Sequence, residues 1–106
     1  MQPPSYSSLS SAGIVDLIYD VSAEWGLSGW AMERLSYCES THDPYAYNPA
    51  GPYHGLYQYD RTTWAGSPYG DYSIYNVYAQ INATAWYITR GEARRWPYCG
   101  RYAGFH

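Results

Sequence analysis

Residues 41 to 59 read THDPYAYNPAGPYHGLYQY, and no regular helix can run through them. Each proline fixes φ and removes a backbone donor, and the interspersed glycines favour turns. The stretch is therefore a loop or a small, irregular hairpin, with a turn at Asn48-Pro49-Ala50-Gly51. The segments on either side carry helical periodicity instead. Ser10 or Ser11 can cap a helix running to about Trp25, with Ile14, Leu17, Ile18 and Val21 on one face and Gly26 as its stop. Ser28 starts a second helix with Ala31, Leu35 and Cys38 as its apolar stripe. Beyond the loop, Asp60 is placed to cap a short helix, and Gly66, Pro68 and Gly70 break the chain again. From about Ser73 to Arg90, Ile74, Val77, Tyr78, Ile81, Ala85 and Ile88 recur at helical spacing, and Gly91 stops the run. The pattern predicts a mainly α single domain over residues 11–106, with a cleft built from the loop and a flexible segment over residues 1–10.

Composition narrows the function classes. The 106 residues carry a net charge of −3, so no broad basic surface is available for nucleic acid. No run of about 18 apolar residues exists to span a membrane. The opening Met1-Gln2-Pro3-Pro4 lacks the charged and apolar regions of a signal peptide. Fifteen tyrosines and five tryptophans against one phenylalanine are unusual. Such side chains combine an apolar face with a polar tip, which suits wet surfaces that stack on sugars or proteins. Cys38 and Cys99 are too far apart for a CxxC metal or redox motif. Two free thiols or one disulfide are both compatible with that spacing. A disulfide would tie the C-terminal tail to the second helix, contributing about 4 kcal/mol in the chain-entropy treatment, and would imply an extracytoplasmic setting.

One carboxylate stands out. Glu39 follows Cys38 at the C-terminal end of the second helix, where the helix dipole disfavours an anion. The field there raises a carboxyl pKa and produces a group suited to donate a proton near neutral pH.

The order Glu39-Ser40, Asp43-Pro44-Tyr45-Ala46, Asn48-Pro49-Ala50-Gly51 and Gly55-Leu56-Tyr57-Gln58 resembles the soluble lytic transglycosylase family over about residues 28 to 91. The Cys38-Glu39-Ser40 start and the closing Trp96-Pro97-Tyr98-Cys99 also resemble resuscitation-promoting factors, which carry a disulfide at comparable positions. The resemblance implies a lysozyme-like fold acting on peptidoglycan glycan strands, a Cys38–Cys99 bridge, and Glu39 as the catalytic acid. It further implies substrate contacts from Ser40, Asn48, Tyr57, Gln58 and Tyr59. Trp96 is the candidate to replace a Tyr-Asn segment of the family that this chain lacks. Tyr45, Tyr47 and Tyr53 are further candidate sugar contacts, and Asn76 matches an Asn of the family's long helix. Tyr57 stands where the family has Met, and Asn48 where it has Ser.

Three readings follow from the resemblance. The first is a lytic transglycosylase cleaving the MurNAc-β-1,4-GlcNAc bond with Glu39 alone. The second is a hydrolytic lysozyme of goose type, in which Asp60 activates water. The third is a non-catalytic glycan-binding or structural module. No cofactor and no metal are expected, since Glu39-x-x-His42 is a single pair without a second, and a monomer is expected. Arg90, Arg94 and Arg95 form a basic cluster able to meet stem-peptide carboxylates if it borders the cleft. Secretion, or association with a cell wall or phage particle, is the expected setting.

Overall fold

The computed structural model describes residues 9–105. Most of the expected flexible segment over residues 1–10 lies outside the described residues. The chain folds as a mainly α domain with one small hairpin. Helix α1 spans Ser11–Glu24 and is capped by Ser10, whose side chain accepts from Gly13 N. Helix α2 spans Gly29–Ser40 and is capped by Ser28, which accepts from Ala31 N. The hairpin pairs β1, Tyr47–Asn48, antiparallel to β2, Tyr53–His54. Helix α3, Arg61–Ala65, is capped by Asp60. Helix α4 spans Val77–Thr89, and a 3₁₀ turn at Ala93–Arg95 leads into the short α5, Cys99–Ala103.

Helix α4 starts later than its periodicity predicts. Asn76 is its cap, accepting from Ala79 N, so Ile74 enters the core from the preceding turn. The Asn76 amide thereby has a structural role. Helix α4 packs on α1, and α2 packs on both α1 and α5. Ile14, Ile18, Met32, Leu35, Leu56, Val77 and Ile81 fill the centre with exposures of 2% or less.

Helix α4 is buried nearly all round, and it still carries three polar side chains in its interior. Each is satisfied, as burial requires. Asn82 Oδ1 accepts from Trp25 Nε1 at 2.8 Å and its amide donates to Tyr78 O. Thr84 Oγ1 donates to Gln80 O and meets the Tyr59 hydroxyl at 2.9 Å. Gln80 leaves the helix altogether. Its Oε1 accepts from Leu56 N at 2.5 Å and its Nε2 donates to Pro44 O at 3.3 Å. The Asn82-Ala83-Thr84 sequon is therefore core, not a surface acceptor for glycan.

Cys38 and Cys99 are joined, with Cα atoms 5.7 Å apart. The bond links the last turn of α2 to the first residue of α5, one position from Glu39 at one end.

Two outcomes are expected from this packing. Replacing both cysteines by Ala should lower stability by ~2–4 kcal/mol, read from urea unfolding midpoints. Gln80→Leu keeps the volume but leaves the buried Leu56 N–H and the partly buried Pro44 C=O without their partner. It should cost ~2–4 kcal/mol, and native-state hydrogen exchange at Leu56 should accelerate.

Candidate active site

The turn after α2 is what delivers Glu39 to a cleft. Ser40 Oγ donates to Ser36 O and accepts from Asp43 N, closing the helix end. Thr41 and His42 then take left-handed φ values of 53° and 63°, which reverses the chain within two residues. Asp43 Oδ1 accepts from Tyr45 N at 2.9 Å and fixes the next turn. Ser40 and Asp43 are thus local braces. His42 is held by Ser36 Oγ at 3.0 Å on one ring nitrogen and lies 3.8 Å from Glu33 on the other.

The Gly55-Leu56-Tyr57-Gln58 segment forms a tight turn, with His54 and Tyr59 exchanging backbone hydrogen bonds across it. Gly55 has φ +83°, and a Cβ there would meet the Gln80 carboxamide carbon at 2.8 Å, so only glycine fits. Gln58 sits at φ +56°. Its Nε2 donates to Gly55 O at 2.9 Å and, at a longer 3.4 Å, to Ala46 O. One amide thus holds the turn to the hairpin.

The cleft occupies ≈ 280 Å³ and is lined by Glu39, Asn48, Tyr53, Gln58, Arg95, Trp96 and Pro97. A second hollow of ≈ 230 Å³ shares Tyr53, Gln58, Arg95 and Trp96 with it and adds Tyr59, Asp60 and Thr63. Five of the expected site residues, Glu39, Asn48, Tyr53, Gln58 and Trp96, are therefore brought together. Asp60 stands in the adjoining space. Its Oδ1 accepts from Thr63 N at 2.7 Å as the α3 cap.

Two expected sugar contacts are corrected. Tyr57 has no exposed surface, and its hydroxyl donates to Met32 O at 3.0 Å. Tyr59 is 2% exposed, with Trp64 and Trp96 rings edge-on to it. Burial raises both phenol pKa values far above their usual range. These rings are core pillars. Trp96 is only 6% exposed and donates its Nε1 to Tyr57 O at 2.9 Å, so it is at once an anchor and a cleft wall. Tyr45, Tyr47 and Tyr53 do reach solvent.

Sequence reasoning missed one contributor. Gln80 braces the loop from beneath, and nothing local marks a glutamine in the middle of an apolar helix as a loop support. Of the expected arginine cluster, Arg95 lines the cleft, but its charge is already taken: it lies 2.8 Å from Glu92 and its guanidinium stacks 4.5 Å from the Tyr87 ring. His54 is buried as well, with Nδ1 hydrogen-bonded to the Tyr75 hydroxyl at 2.5 Å.

Among the described residues Glu39 has no ion-pair partner. Burial alone pushes its carboxyl from 4.5 up to about 7. The direction matches the sequence expectation, but the cause is desolvation where the helix end had been expected to dominate. No protein-family model, no curated protein and no solved structure matches the chain.

The raised pKa carries a stability signature. The folded state holds the proton more tightly than the unfolded chain, so the contribution is complete below about pH 4.5 and is lost as pH rises through about 7. Glu39→Gln cannot ionise. It should be near neutral for stability at pH 4.5 and stabilising relative to wild type at pH 8, by ~1–2 kcal/mol after allowance for solvent screening. Thermal or urea unfolding of both proteins at the two pH values reads this directly.

Proposed function

We propose that this protein is a lysozyme-like peptidoglycan lytic transglycosylase, with Glu39 as the catalytic acid and then the base. The observation that carries the reading is the half-buried Glu39 carboxyl, without an ion-pair partner and with its pKa pushed up to about 7, in a cleft walled by amides and aromatic rings. A glycosidic oxygen leaves poorly unless protonated, and a neutral carboxyl near operating pH supplies that proton. Glu39 protonates the oxygen that becomes the GlcNAc 4-hydroxyl, and the C1–O bond of MurNAc breaks with oxocarbenium character. The resulting carboxylate takes the proton of the MurNAc C6 hydroxyl while its oxygen bonds to C1. A 1,6-anhydro ring closes, Glu39 regains its proton, and no water is consumed.

Asn48 and Gln58 supply amide groups at the wall, and Tyr53 supplies a partly exposed ring that can stack on a sugar face. The sequence resemblance to lytic transglycosylases adds support from the motif order. A disulfide is at home in an oxidising compartment, which fits an extracytoplasmic, cell-wall or phage-associated enzyme. Among the described residues no helix is long and apolar enough to cross a membrane.

Hydrolysis is the second reading, because Asp60 borders the hollow that shares four walls with the Glu39 cleft. An inverting lysozyme needs its two carboxyls roughly 6.5–9.5 Å apart with water between them. The involvement of Asp60 in capping α3 favours the single-acid route.

Digestion of purified peptidoglycan, read by mass spectrometry of the released muropeptides, separates the readings. Anhydro-MurNAc ends are expected from wild type, with a loss of ~10³-fold or more in Glu39→Gln. Activity should decline above about pH 7 as the carboxyl ionises. Free reducing ends that depend on Asp60 would instead make the protein a lysozyme. Binding to the wall without any release would leave a glycan-binding module.

A further inference from the structure

Trp96 and Pro97 line more than the Glu39 cleft. Pro97 also borders a hollow of ≈ 430 Å³ lined by Ala93, Arg94, Trp96, Arg101 and Phe105. With Arg101 it further borders an open depression formed by Tyr98 and Tyr102. Tyr98 is 79% exposed and Tyr102 45%, so two aromatic faces stand in solvent beside this rim.

Charge is segregated here. All six basic residues of the chain are arginines, and residues 93–105 hold three of them with no Asp or Glu. Glu92 pairs with Arg90 and Arg95. Arg94 and Arg101 make no ion pair among the described residues. Arg34 stabilises the far side of the patch, stacked 4.4 Å from the Trp30 ring and 4.1 Å from the Tyr102 ring, and donating to Tyr102 O. In a chain of net charge −3, this is a localised cationic rim with planar stacking surfaces, which shares Pro97 with the lining of the cleft.

We infer that the Arg94–Arg101–Tyr98 rim binds the carboxylate-bearing peptide substituents of the glycan whose backbone occupies the Glu39 cleft. The inference rests on the reading of the cleft as a peptidoglycan site. Arginine presents a planar fork matched to carboxylates, and an open rim accommodates a flexible peptide better than an enclosed pocket would. The enzyme therefore discriminates peptide-bearing strands from bare ones.

The test uses soluble glycan strands prepared with their peptides and the same strands stripped of them by an amidase. Binding is measured by calorimetry in a Glu39→Gln background, with and without Arg94→Ala and Arg101→Ala together. The double change should weaken binding of peptide-bearing strands roughly five- to tenfold, leave stripped strands within about twofold, and lose its effect at high salt. Arg94→Lys with Arg101→Lys keeps the charge without the fork and should recover only part of the affinity, and an unchanged unfolding midpoint excludes misfolding. Equal weakening of both strand types, or none, overturns the inference. Cleavage of stripped strands by the wild-type protein is scored separately. If that cleavage persists while the arginine changes have no selective effect, the inference fails and the proposed function stands. If neither strand type is bound or cut, both fail.

Discussion

The buried amide of Gln80 is the interaction on which the site depends. A loop rich in proline and glycine has few ladder hydrogen bonds of its own, and its backbone polar groups still need partners where they are buried. Gln80 supplies one acceptor to Leu56 N and one donor to Pro44 O from the middle of a rigid helix. Those two points lie at the two ends of the hairpin segment. The loop is thereby registered against α4, and only glycine at position 55 leaves room for the carboxamide. Gln58 repeats the device on the solvent side, tying Gly55 and Ala46 with one NH₂ group. Both amides thereby help fix the Asn48 and Tyr53 walls relative to Glu39.

Tyr57 extends the same frame to the other elements. Its hydroxyl reaches Met32 O in α2, and its carbonyl accepts from Trp96 Nε1. A thioether or an alkyl chain could fill the volume, but neither could donate to Met32 O from across the core. A tyrosine in a proline- and glycine-rich loop invites a surface role. The structure gives the hydroxyl an internal one.

Helix limits were legible because capping chemistry is local. Ser10, Ser28 and Asp60 each bond the N–H three residues on, and Gly91 takes φ +80° at the end of α4. The late start of α4 was not legible, since Ser73 and Ile74 fit the helical period while the Asn76 cap overrides it. Tyrosine defeated the reading of exposure. An amphipathic ring fits the core when its hydroxyl finds a partner, as at Tyr57 and Tyr59, and fits the surface otherwise, as at Tyr45 and Tyr47. Which case holds depends on contacts from residues 25 or more positions away, and these leave no trace in local spacing.

The chemistry of Glu39 is therefore a product of the C-terminal segment as much as of its own helix. Its carboxyl is raised by desolvation, and the burial is completed on one side by Trp96, Pro97 and Arg95. Those residues stay in place because Cys99 is bonded to Cys38 and because Trp96 is hydrogen-bonded to Tyr57. Arg95 sits close enough to line the cleft, and a free guanidinium there would stabilise the carboxylate and undo the effect of burial. Its pairing with Glu92 and its stacking on Tyr87 keep that charge engaged elsewhere. A basic residue at the cleft is thus compatible with a neutral acid beside it. The disulfide closes the frame at the residue next to the acid, so the same covalent link that stabilises the fold also holds the wall that sets the acid's proton affinity.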